Sequence, residues 1–271
     1  MRSGSTGARP RVVATDLDGT LLRSDGSISD RTRVAIADAE EAGVPTIFVT
    51  ARPPRWLDEL ADVVGDHGVA ICGNGAFVYD VATRTVASCR GFDPEVMAAV
   101  VADLRAEFPG ITFAAERPDG MGRELAFVDP YSHEYVVEDD PHTSVSPVGK
   151  LLARWPDADP HAFLQRVEDV VGGRVEIGYS GAVGLAEMTA SGVTKASGLA
   201  AWCEEHGIDA SEVWACGDMP NDLPMLAWAG RGLAVRNAHP DVIAAAAEVI
   251  ASNDEDGVAD VLESIVRQGA P

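Results

Sequence analysis

Asp16 and Asp18 stand two residues apart, where the apolar run 12–14 leads through Thr15 into Asp16-Leu17-Asp18. On an extended backbone such residues project to the same side. Two carboxylates placed so can divide the labour of a displacement, one attacking while the other handles a proton. An ionised aspartate needs no base to become a nucleophile, since its reference pKa is about 3.9. Gly19 and Thr20 then break the strand, so the loop curls and separates the two groups. Further carboxylates come late in the chain, in Gly217-Asp218-Met219-Pro220-Asn221-Asp222, after the apolar run 213–216. Thr50, with Ala51 and Arg52, closes another such run at 45–49. A single aspartate at a strand end is ordinarily a turn former or a helix cap. Several that converge repel one another unless a cation lies among them, and ligands made only of oxygen suit Mg²⁺.

The runs that carry these groups alternate with helical stretches. Ser29 or Asp30 is placed to cap a helix over 31–42, which Gly43 ends, and a second helix is predicted over 54–64. With strands at 12–14, 45–49 and 69–72, the pattern is β-α-β-α-β, that of a doubly wound sheet. Ligands of such sheets bind beyond the carboxyl ends of the strands. From 83 to 188 the rhythm changes, with helices at 94–108 and 160–171 and strand-like runs at 124–128, 149–154, 174–179 and 184–188. Afterwards it returns, with helices at 195–206, 221–229, 240–247 and 258–267 and strands at 213–216, 232–235 and 249–250. The expected fold is α/β, a doubly wound parallel-sheet (Rossmann-like) core of residues 1–83 and 189–271 carrying an inserted α+β cap domain, 84–188.

Asp16-Leu17-Asp18-Gly19-Thr20-Leu21-Leu22 resembles the first motif of the haloacid dehalogenase superfamily of phosphatases. Val49-Thr50-Ala51-Arg52 resembles its second motif, Gly192-Val193-Thr194-Lys195 its lysine motif, and 217–222 with Met225 its metal motif. Ile71-Cys72-Gly73-Asn74-Gly75-Ala76 and residues 253–259 are similar to the Cof-like hydrolases, a subgroup with a large α+β cap. The resemblance implies an Mg²⁺-dependent phosphatase acting on a small phosphomonoester through an aspartyl-phosphate. It implies Asp16 as nucleophile, Asp18 as acid and base, and Thr50 and Lys195 as holders of the phosphoryl oxygens. Mg²⁺ would lie between Asp16, the backbone carbonyl of Asp18, and Asp218, with Asn221 and Asp222 orienting that shell. Ala51 and Ala196 replace glycines usual in the subgroup, and Arg236 precedes Asn237-Ala238 where glycine is usual. None of these changes removes a reacting group.

Arg52 is expected to meet the phosphate or the far part of the substrate, and Asn74 the substrate or the hinge to the cap. Cap residues that face the core site are expected to choose the substrate; the most irregular and polar part of the cap is 116–147, which contains Arg117, Arg123, Tyr131, His133, Glu134 and His142. The formal charge of −22, from 43 acidic and 21 basic side chains, disfavours nucleic acid and anionic membrane surfaces as partners. It also requires a cation and a few basic groups wherever a phosphate ester binds. Cys72, Cys89, Cys203 and Cys216 form no CxxC pair and read as free thiols. No apolar run approaches the roughly 18 residues of a membrane span, and no signal-like segment leads the chain, so a cytoplasmic location is expected. Two other functions fit the same motifs: a phosphomutase, and a phospholigand-binding protein without catalysis. The substrate's identity and the oligomeric state are not legible.

Overall fold

A computed structural model of the chain describes residues 9–57, 68–128, 135–155, 159–178 and 184–269. At its centre is an eight-stranded sheet. It contains β1 (Val12–Thr15), β2 (Thr46–Val49), β3 (Val69–Cys72), β4 (Phe77–Asp80), β5 (Thr85–Cys89), β12 (Val213–Gly217), β13 (Arg231–Val235) and β14 (Glu248–Ile250). Their order is β14-β13-β12-β1-β2-β3-β4-β5, with β1 parallel to both β2 and β12. The β3–β4 and β4–β5 pairs are antiparallel and finish one edge. The boundary read near residue 83 falls in the turn between β4 and β5.

Every residue of β1 is buried, because helices cover both faces of the sheet. Alternation along the strand sends Val13 to one face and Val12 and Ala14 to the other. On the first face α1 (Asp30–Glu41) packs Ala35, Ile36 and Ala39 beside Leu262 and Ile265 of α7 (Gly257–Gly269). On the second, α4 (Lys195–Glu205), α5 (Leu223–Trp228) and α6 (Pro240–Ala245) bury Leu199, Trp202, Met225, Leu226 and Val242. Ser29 caps α1 by accepting from the Thr32 amide, as its place before the helix predicts.

The inserted segment builds a second sheet of six strands. These are β6 (Thr112–Arg117), β7 (Gly120–Arg123), β8 (Val136–Val137), β9 (Lys150–Arg154), β10 (Val175–Gly178) and β11 (Leu185–Ala190), ordered β10-β11-β9-β6-β7-β8. One face lies under α2 (Pro94–Glu107) and α3 (Pro160–Val171), where Phe113, Ala115, Leu151, Ala153, Ala186 and Met188 meet Val100, Leu104, Phe163 and Val167. The strand period of two therefore turns Ala114, Glu116, Lys150, Leu152, Arg154, Leu185 and Glu187 to the opposite face.

Two expectations are corrected. Residues 124–128 are not a strand; the hairpin turn at Pro118 and Asp119 returns the chain at once, so β7 forms at 120–123. The Glu124 carboxylate then accepts from the Phe113 amide instead of entering the sheet. The helix predicted over 54–64 is described only as a short 3₁₀ turn, Pro54–Trp56, and its remainder lies outside the described residues.

Gly75 joins the end of β3 to the start of α4. Its φ is +97°, and a Cβ there would lie 2.1 Å from the Thr194 carbonyl oxygen. Gly75→Ala is expected to lower stability by about 1–3 kcal/mol, seen as a lower urea midpoint. An unchanged midpoint would show that this contact is not constrained.

Candidate active site

Because β1, β2 and β12 are parallel neighbours, the residues just past them share one rim. The Asp16 amide donates to the Cys216 carbonyl at 3.0 Å, and the Thr50 amide to the Ile71 carbonyl at 2.9 Å, so each ladder runs one step beyond its strand. Lys195 is the first residue of α4, where Thr194 and Ser197 form a reciprocal cap. From there its Nζ donates to Asp16 Oδ1 at 2.6 Å and to Asp222 Oδ1 at 2.7 Å. The three side chains are between 0 and 7% exposed, so water does little to screen them.

Asp222 uses its other oxygen to accept from the Asp218 and Met219 amides, each at 3.0 Å. That pins the turn on which Asp218 sits. Asp218 Oδ1 in turn accepts from the Thr20 hydroxyl at 2.9 Å. Gly19, at φ +79°, lets Asp218 approach: a Cβ at Gly19 would fall 2.5 Å from Asp218 Oδ2. Asn237 Nδ2 donates to the Gly19 carbonyl at 2.7 Å, fixing the same loop from the far side.

Asp16, Asp218 and Asp222 thereby bring one carboxylate oxygen each within 4.8 Å of one another, all three residues buried. Burial raises the Asp16 carboxyl well above the ordinary range; Lys195 opposes this, while Asp222 and Asp218 add to it. Burial first, and the Asp222 charge second, push Asp218 up to about 6. For Lys195 burial works against the ammonium, but Asp16 and Asp222 outweigh it and hold it charged. One lysine against three carboxylates leaves an excess of negative charge on hard oxygen donors. That composition fits a small divalent cation such as Mg²⁺.

The Asp18 side chain points away from this cluster. Its two oxygens accept from Arg52 Nη2 and Nε at 2.5 and 2.8 Å. Arg52 also donates its amide to the Thr50 hydroxyl at 3.1 Å, which keeps Thr50 and Arg52 in one compact turn. The Ala51 carbonyl accepts from Lys150 Nζ of the second sheet at 3.0 Å. Asn74 is buried with φ +57°, and its Oδ1 accepts from Asn221 Nδ2 at 3.2 Å. Asn74 Nδ2 and Asn221 Oδ1 are buried with no hydrogen-bond partner among the described residues. Arg236 pairs with Glu255 on the surface at 2.8 Å.

Between the rim and the second sheet lies a cavity of about 220 Å³, reached by Asp16, Asp18, Thr50, Arg52, Lys195 and Asn221. Its far side is formed by Glu116, Phe127, Lys150, Leu152, Arg154, Leu185 and Glu187, of which Glu116 and Phe127 fall in the stretch 116–147. The polarity of 150–154 (Lys-Leu-Leu-Ala-Arg) and 185–189 (Leu-Ala-Glu-Met-Thr) does not alternate cleanly, so only the charged Lys150, Arg154 and Glu187 hint at a second face. Of the residues that were expected there, Arg117 pairs with Glu138 at 3.0 Å and the Arg123 guanidinium lies 3.6 Å from the centre of the Tyr135 ring. His142 sits in the 3₁₀ turn Pro141–Thr143, and Tyr131, His133 and Glu134 lie outside the described residues. Among the described residues the four cysteines are unpaired, and no helix is long and apolar enough to cross a membrane.

The sequence profile of the haloacid dehalogenase-like hydrolases matches residues 13–262. The chain is 29% identical to pyridoxal phosphate phosphatase YbhA of Escherichia coli over 273 residues, covering 94% of this chain and 98% of that one. It is 29% identical to 5-amino-6-(5-phospho-D-ribitylamino)uracil phosphatase YcsE of Bacillus subtilis over 254 residues, covering 92% and 93%. A solved haloacid dehalogenase-like hydrolase from Bacteroides thetaiotaomicron superposes with a TM-score of 0.77 at 26% identity, covering 94% of this chain and 99% of its own.

The raised carboxyl pKa of Asp218 has a definite sign for stability. The folded state holds a proton more tightly than the unfolded state, so without a cation stability falls as pH rises from about 4 to about 6. Mg²⁺ is therefore expected to raise Tm more near pH 7.5 than near pH 5. In EDTA near pH 7.5, Asp218→Asn is expected to melt higher than wild type, and to lose most of the Mg²⁺ shift. Scanning fluorimetry at both pH values checks this; equal Mg²⁺ shifts would count against the acidic cluster as the cation site.

Proposed function

This chain belongs to the haloacid dehalogenase-like hydrolases, and from that premise we propose that it hydrolyses a small phosphomonoester through an aspartyl-phosphate, with Mg²⁺ bound. The observation that carries the reading is the Lys195 ammonium held between Asp16 and Asp222, at 2.6 and 2.7 Å, beside Asp218. The substrate is a sugar phosphate, a nucleotide or a cofactor phosphate; the names of two relatives, acting on pyridoxal phosphate and on a phosphorylated ribitylaminouracil, support that range.

Asp16 attacks phosphorus along the line of the departing oxygen, and the bond to the leaving alcohol breaks as the acyl phosphate forms. Lys195 lies against the Asp16 carboxylate, fixing which oxygen attacks and offsetting the charge of the incoming phosphoryl group. Thr50, at the end of β2, and Asn221 hold phosphoryl oxygens, with the Ala51 and Arg52 turn shaping the same cradle. Asp18 leaves its pair with Arg52, takes up a proton from solvent and passes it to the leaving oxygen, and the carboxylate so regenerated then takes one from the water that attacks the acyl phosphate. Release of inorganic phosphate restores Asp16. Asp16, Asp218 and the Asp18 carbonyl would hold Mg²⁺, with Asp222 orienting them, and the bound ion supplies neutralisation of phosphoryl charge. The six-stranded unit serves as the cap that excludes water and selects the leaving group.

Release of inorganic phosphate from a panel of phosphomonoesters, with Mg²⁺ and with EDTA, tests the reading. Asp16→Asn is expected to lower kcat at least about a thousandfold while the fold is kept. A folded Asp16→Asn protein with near-normal rates would remove Asp16 as nucleophile. Asp18→Asn is expected to slow esters of poor leaving groups most; equal slowing across a leaving-group series would remove Asp18 as acid. Binding of phosphate esters without any release would favour a phospholigand-binding protein.

A further inference from the structure

The cavity above Asp16 has walls of unlike chemistry. On the side of the second sheet, Leu152 and Leu185 stand on adjacent strands and pack with Phe127 and Met121 as one small apolar cluster. On the core side Trp56 and Met219 line the same space. Charged groups also reach it, and four of them are held in two ion pairs, Arg55–Glu116 and Lys150–Glu187. Arg55 grips Glu116 through two contacts, at 2.7 and 3.1 Å, and its guanidinium lies 4.8 Å from the Trp56 ring centre. Lys150 is bound to Glu187 and to the Ala51 carbonyl. Arg154 lies 5.9 Å from the Phe127 ring centre.

The polarity of this space selects among leaving groups. A polyol buried there needs a partner for each hydroxyl, or loses water without replacement. A ring face needs none, and gains by covering the apolar walls and by meeting the Trp56 and Phe127 rings. At about 220 Å³ the space is smaller than the roughly 300–1,000 Å³ that hold drug-sized ligands, which fits one ring system. We propose that the leaving group is a flat aromatic or heteroaromatic alcohol of a single ring, held between the Phe127–Leu152–Leu185 wall and Trp56. The inference deepens the phosphatase reading and rests on it for the position of the phosphoryl group.

Benzyl phosphate and glucose 6-phosphate are both esters of primary alcohols, so their intrinsic reactivities are alike. With Mg²⁺, kcat/KM for benzyl phosphate is expected to exceed that for glucose 6-phosphate by at least about tenfold. Leu185→Asn and Trp56→Ala, changes on two separate elements at partly exposed positions, are each expected to reduce that ratio to about threefold or less. Calorimetry supplies a readout that needs no turnover: benzylphosphonate is expected to bind at least about tenfold more tightly than methylphosphonate. If the sugar ester is hydrolysed as fast as the benzyl ester or faster, the ring class is overturned and the phosphatase reading stands. If neither ester is hydrolysed but the phosphonate preference holds, the ring site stands and the phosphatase reading falls. Loss of both overturns both.

Discussion

The site depends on one buried charge balance. Lys195 places an ammonium between Asp16 and Asp222 where little water reaches, and neither carboxylate would tolerate that burial alone. The lysine also settles the orientation of both acids. Asp16 is left with an oxygen facing the cavity rim, and Asp222 turns its second oxygen to the two amides that shape the Asp218 turn. Charge and loop geometry are thus one construction. The raised carboxyl pKa values are its signature, since negative charge remains in excess after the lysine is counted.

The second sheet applies a simpler rule. Strand alternation turns Leu151, Ala153, Ala186 and Met188 toward their covering helices, and Lys150, Leu152, Arg154, Leu185 and Glu187 toward the rim. Two neighbouring strands, β9 and β11, thereby contribute to one wall without any special turn. Ion pairs such as Arg55–Glu116, with side chains 11% and 3% exposed, join that wall to the core. They also occupy part of the charge that faces the cavity.

Much of this was legible in the sequence because parallel strands that end in polar residues announce both the fold and the rim. Asp16, Thr50 and Asp218 follow β1, β2 and β12 as their apolar runs predict, and Lys195 is reached through the helix that Thr194 caps. The grip of Arg52 on Asp18 was not legible, since it depends on how two loops pass each other in space. Nor were the cap residues. Alternating residues in 150–154 mark two faces, but which face looks toward the rim is decided by where α2 and α3 pack. Polarity drew attention to 116–147, yet Arg117 there is committed to Glu138. The strand misplaced at 124–128 shows the same limit, because a turn at Pro118 and Asp119 fixed the pairing before the apolar residues downstream had any say.

The position of β1 between β2 and β12 has a consequence for biogenesis. One neighbour follows β1 closely in the chain, while the other is made only after the whole six-stranded unit. During synthesis β1 therefore carries an unpaired edge until residues 213–217 leave the ribosome. The inserted unit, whose strands pair among themselves, can complete its own hydrogen bonding earlier. Assembly of the rim is thus a late event, and a nascent chain stopped short of β12 presents a finished six-stranded unit beside half a sheet with an adhesive margin.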